Sequence, residues 1–85
     1  MKTMSKEEIK KEAELLRRLG FKEIEEGTNE WTLEIATRNI TIYFEDKITI
    51  PYTYEPNKYY VFDVNYSYEE PIDEAYDIRD VVKYF

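Results

Sequence analysis

Histidine and cysteine are missing from these 85 residues, and glycine occurs only twice. Without His there is no imidazole base, no Ser–His triad and no His-held metal. Without Cys there is no disulfide, no thiolate nucleophile and no thiolate zinc site. Gly20 and Gly27 stand alone, so no glycine-rich phosphate loop exists. Long apolar runs are missing too: nothing approaches the ~20 residues of a membrane-spanning helix. The start, Met1 to Lys11, carries Lys2, Lys6, Lys10 and Lys11 but not the apolar core of a signal peptide. A cytoplasmic location is therefore expected. Positive charge is in short supply, with 12 Lys and Arg against 19 Asp and Glu and a net charge of -7.

What is present is enough to fold. The hydrophobic share is 42% and the aromatic share 16%, including nine Tyr. Disordered chains are poor in both. The length fits one domain spanning residues 1–85.

Periodicity divides the chain in three. Ser5 and Glu8 form a capping-box pattern, followed by Ile9, Ala13, Leu16 and Leu15, Leu19 at helical spacing. Arg17 and Arg18 suit the last turn, and Gly20 suits a left-handed cap with Phe21 folding back on Leu16. The period then changes to two. Phe21–Glu25 reads as a weak strand. Trp31, Leu33 and Ile35 form the inward set of the next strand, with a turn at Arg38-Asn39. Ile40, Ile42 and Phe44 point inward on a third strand, with Tyr43 outward. Asp46-Lys47 suits a turn before a strand over 48–54, where Pro51 marks an edge or bulge. In the following strand Tyr60, Phe62, Val64 and Tyr66 read as inward, and Tyr59, Val61, Asp63 and Asn65 as outward. After Ser67 the helical period returns through Ile72, Ala75, Ile78, Val82 and Phe85, with Pro71 at the first turn. Val81–Phe85 is β-branched and aromatic, which also suits a short strand. The expected fold is α+β: an N-terminal helix, an antiparallel meander of four to five strands and a C-terminal helix, with both helices on one face of the sheet.

Charge and tyrosine are unevenly placed. Residues 1–26 hold seven basic and seven acidic side chains, whereas 27–85 hold five and twelve. Glu69, Glu70, Asp73, Glu74, Asp77 and Asp80 lie within twelve residues, opposed only by Arg79. On a helix, Asp73, Asp77 and Asp80 would share one face. Such a strip is either a solvated helix surface or a docking site for a basic partner. Seven Tyr fall within residues 43–68. Those alternating outward, Tyr43 and Tyr59, together with Tyr68, have the composition of an interface.

These features favour contact over chemistry. Ser5 and Ser67 are the only serines, and neither has a His to activate it. No catalytic residue, cofactor or metal site is expected, since the acids lack the Asp/Asn/Gly pattern of a calcium loop. Direct nucleic-acid binding is disfavoured by the charge, and no membrane partner is indicated. The leading expectation is a small acidic protein-binding inhibitor of a basic, nucleic-acid-handling target. Glu69, Glu70, Asp73, Glu74, Asp77, Asp80, Tyr43, Tyr59 and Tyr68 are its candidate contacts. Two settings share this physics: an immunity protein that plugs a nuclease toxin, and a phage anti-defence protein, such as an anti-CRISPR, that mimics DNA with carboxylates. The alternative is a structural module that pairs through a sheet edge at 48–54, as in a homodimer.

Overall fold

The computed structural model describes residues 3–27, 29–45 and 54–85. Helix α1 spans Lys6–Leu19. Its start is held by a reciprocal capping box: the Glu8 amide donates to Ser5 Oγ and the Ser5 amide to Glu8 Oε1, both at 3.2 Å. Its end is a Schellman turn. Gly20 takes φ 101°, its amide donates to the Arg17 carbonyl, and the Phe21 amide reaches back to the Leu16 carbonyl at 2.9 Å. Phe21 and Leu16 accordingly enter the same core.

Five strands follow: β1 (Lys22–Glu23), β2 (Glu30–Ile35), β3 (Arg38–Tyr43), β4 (Tyr59–Asp63) and β5 (Asp73–Ala75). They pair in chain order as one antiparallel meander. The α+β class and the meander thus match the periodicity. Ala36-Thr37 makes the β2–β3 turn, two residues before the Arg38-Asn39 turn expected, and Arg38 and Asn39 belong to β3. The expected turn at Asp46-Lys47 and the strand over 48–54 lie outside the described residues, apart from Tyr54.

The C-terminal segment is not the helix its apolar spacing suggests. Residues Asp73–Ala75 pair with β4 as the sheet's last strand, and short 3₁₀ turns occupy Ile78–Asp80 and Val82–Tyr84. Two forces oppose a helix here. Glu70, Glu74, Asp73 and Asp77 would repel at i,i+4 spacing, and Ile72, Val81, Val82 and the aromatics are poor helix formers. The open flank of β4 offers the backbone a ladder instead. So α1 is the single α-helix among the described residues, and no second helix packs beside it on the sheet.

One face of the sheet carries the core. Trp31, Ile40, Ile42, Phe44, Tyr59 and Val61 pack with Met4 and Leu16 and with Ile78 and Val81 from the 3₁₀ turns. The parity of β4 is therefore the reverse of that expected. Ile42 pairs with Tyr59 and Ile40 with Val61, and directly opposed residues share a face. Tyr59 and Val61 are core, while Tyr60 and Phe62 face outward beside Thr41 and Asn39. No helix of the described residues is long and apolar enough to cross a membrane.

Candidate docking surface

The sheet face opposite α1 is built from the alternate residues of the same strands. Thr32 and Thr41 are cross-strand partners, and both hydroxyls donate to Asn39 Oδ1, at 2.7 and 2.5 Å. This ladder needs no apolar cover. Beside it sits an aromatic cluster centred on Tyr54. The Tyr54 ring stacks on Tyr43 at 5.6 Å and 13°, tilts on Tyr60 at 4.8 Å and meets Phe62 edge-on at 6.2 Å. The Glu55 amide donates to Tyr60 Oη at 2.8 Å, which ties the residue after Tyr54 to β4. Burial, with the Glu30 carboxylate and the neighbouring phenols, pushes the Tyr43 hydroxyl up to about 12.

The turn after β4 brings carboxylates to this cluster. Ser67 Oγ accepts from the amides of both Glu69 and Glu70, at 3.0 and 3.1 Å. Ser67 is thus a turn anchor. Two grooves flank Tyr54. One, of about 410 Å³, is lined by Asn39, Thr41, Tyr43, Phe62 and Tyr68 among others. The other, of about 510 Å³, is lined by Tyr54, Tyr60, Glu69, Glu70, Pro71 and Glu74.

The nine expected contact residues therefore separate. Tyr43, Tyr68, Glu69, Glu70 and Glu74 line these two grooves. Tyr68 is 81% exposed, whereas Tyr59 is 1% exposed in the core and has no part in a surface. Asp73, Asp77 and Asp80 line neither groove. In a strand Asp73 and Glu74 point to opposite sides, so Asp73 lies across from Val61 and Glu74 from Tyr60. Asp77 caps the first 3₁₀ turn, accepting from the Arg79 amide at 2.9 Å. A helical period over 69–80 would align these acids, and the strand and 3₁₀ turn separate them.

Ion pairing sorts the acids further. Asp73 accepts from Tyr84 Oη at 2.6 Å and pairs with Lys83 at 3.4 Å, and these hold its carboxyl below the usual carboxylate range, the Tyr84 bond first. Asp77 binds the Arg79 guanidinium at 2.7 Å. Glu74 takes Lys58 at 3.0 Å, and this bond raises the Lys58 ammonium pKa. No ion pair reaches Glu69, Glu70 or Asp80 among the described residues. Nor do three or more carboxylates there converge as metal ligands would.

Tyr54, Tyr60 and Glu34 belong to the surface without standing out in the sequence. Tyr60 is hidden because Tyr59-Tyr60-Val61-Phe62 is apolar at every position, so alternation gives no face. The pairing of Thr41, a polar residue between Ile40 and Ile42, is the signal that identifies its side. No protein-family model, curated protein or solved structure matches this chain.

Proposed function

We propose that this chain is a small acidic protein-binding inhibitor, acting in the cytoplasm on a basic, nucleic-acid-handling partner. The observation that carries the reading is the convergence of Tyr43, Tyr54, Tyr68, Glu69, Glu70 and Glu74, from separate segments, around two adjoining grooves of one sheet face. Rigid tyrosines give contact area at low entropic cost, and adjacent carboxylates steer toward Lys and Arg. Inhibition is by occlusion and needs no catalytic group. The carboxylates stand where DNA phosphates would otherwise meet the partner. An immunity protein and an anti-CRISPR-like anti-defence protein both work by this physics.

The alternative, self-association through a sheet edge at 48–54, falls outside the described residues apart from Tyr54. The outer strands of the described sheet are β1, with two residues, and β5, with three. Edges this short resist pairing.

The test is retention of host cytosolic proteins on immobilised wild-type chain and on an E69K/E70K variant. Wild type is expected to retain a basic nucleic-acid-handling protein that duplex DNA competes off. Retention should fall steeply as salt rises, and the variant should not retain it. Equal retention on both columns would overturn the reading.

A further inference from the structure

The groove between Tyr54 and the 69–74 segment has a chemistry more specific than negative charge. It is lined by the half-buried Tyr54, whose ring packs over the buried Tyr60 with centroids 4.8 Å apart, and by Glu69, Glu70 and Glu74. The protein's own Lys58 shows what these walls accept. Its ammonium lies 5.7 Å from the Tyr60 ring and 5.1 Å from the Tyr76 ring, with Glu74 at 3.0 Å. A cation held between a phenol face and a carboxylate is thus already present at one end. The other end is lined by Tyr54, Glu69 and Glu70; Glu70 accepts from Tyr66 Oη at 3.4 Å, and no ion pair reaches either Glu among the described residues.

Resting on the docking reading above, we propose that this groove takes an arginine side chain of the partner, with its guanidinium on the tyrosine wall and its N–H groups on Glu69 and Glu70. Charge complementarity selects a cation, and the composition of the walls selects among cations. Guanidinium is planar, weakly hydrated and forked. It stacks on aromatic rings and bonds carboxylates through parallel N–H groups. Ammonium is a strongly hydrated point charge, and Lys58 already fills the one-carboxylate position. Ser67 holds the backbone of Glu69 and Glu70 with two hydrogen bonds, so less backbone order is lost on docking.

The experiment uses the full ¹⁵N-labelled chain, titrated with blocked tetra-arginine and tetra-lysine peptides in 0.15 M salt. The expected result is saturable amide shifts at 54, 60, 69 and 70, with tetra-arginine bound about fivefold more tightly. E69Q/E70Q, whose backbone turn to Ser67 is untouched, should lose that preference while its spectrum stays dispersed. Equal affinity for the two peptides would overturn the proposal. So would shifts as large at Glu7, Glu14 and Asp80 as at the groove. The column experiment reads docking as such. If E69K/E70K abolishes retention while the two peptides bind equally, the arginine site fails and the docking reading stands. If tetra-arginine is preferred while retention is equal on both columns, the reverse holds.

Discussion

A single phenol–carboxylate contact ties the C-terminus to the sheet. Tyr84 Oη donates to Asp73 at 2.6 Å, and the Tyr84 ring lies under Arg38, 5.5 Å from its guanidinium carbon. The bond favours ionised Asp73, so its folded pKa lies below the unfolded value of about 3.9. Its stabilisation is complete above that unfolded value and is lost as pH falls through the depressed folded one. Y84F should therefore be less stable than wild type by about 1 kcal/mol at pH 7. The gap should narrow as pH falls from 7 through the depressed Asp73 value. Urea unfolding above and below that value checks this, and a gap unchanged at low pH would show that the loss is one of packing. Alkali acts on Tyr43 in the opposite direction. Its folded pKa, pushed up to about 12, exceeds the unfolded value of about 10. Its contribution is present below that unfolded value and lost as pH rises toward 12. In a tyrosinate absorbance titration Y43F should therefore lack one phenol that ionises late. None of these pairings is legible in the sequence, because Asp73 and Tyr84 are joined by the fold of the C-terminal segment rather than by spacing. Tyr43 is different. It lies between Ile42 and Phe44, and that alternation sends it outward as expected.

At the level of elements, legibility follows the strength of local signals. The α1 cap and Gly20 stop appear in the structure, as does the stripe of Ile9, Ala13, Leu16 and Leu19, while Leu15 of the expected stripe is exposed. The C-terminal segment has an apolar period but acidic repulsion and β-branched residues against it, and a vacant strand edge decided the outcome. Strand β4 takes the reverse of its expected orientation, because apolar residues on both of its faces give alternation no preference. The β2–β3 turn falls two residues before the expected Arg38-Asn39, because Ala36 takes a conformation that alanine rarely adopts, φ 54°. Thr37 is not among the positive-φ residues, so the turn has the II′ pattern, in which glycine is favoured at the first central position. A36G should relieve that strain and raise stability by about 0.5–1 kcal/mol, net of the entropy glycine adds to the unfolded chain. Chemical denaturation with an unchanged m-value checks it. A lower midpoint would mean that the turn carries no strain. S5A at the other end of the hierarchy should cost about 1 kcal/mol, since it unpairs the capping box.

Across the whole molecule, the excess of acid divides into charges that hold the fold and charges that face a partner. Asp63, Asp73 and Asp77 hold Arg38, Lys83 and Arg79, and Glu74, which also lines the groove, holds Lys58. Glu69 and Glu70 hold none among the described residues, and they line a groove with the half-buried Tyr54. The composition made the excess visible, and its position late in the chain was legible, but its division was not, because strand alternation and 3₁₀ turns separate residues that a helix would have aligned. Charge reversal should expose the division. In D73K/D77K, Tyr84, Lys83 and Arg79 all lose their acceptor, and the first 3₁₀ turn loses its cap. That should cost about 2–3 kcal/mol, a fall in melting temperature of roughly 10–20 °C for a domain of this size. In E69K/E70K the backbone bonds to Ser67 remain, so stability should stay within about 0.5 kcal/mol of wild type while partner retention is lost. Thermal denaturation of the two variants beside the retention assay separates fold from contact. If D73K/D77K melts with wild type, the 73–84 pairings contribute nothing to stability. If E69K/E70K melts far below it, the groove acids are structural and loss of retention by that variant no longer identifies a docking face.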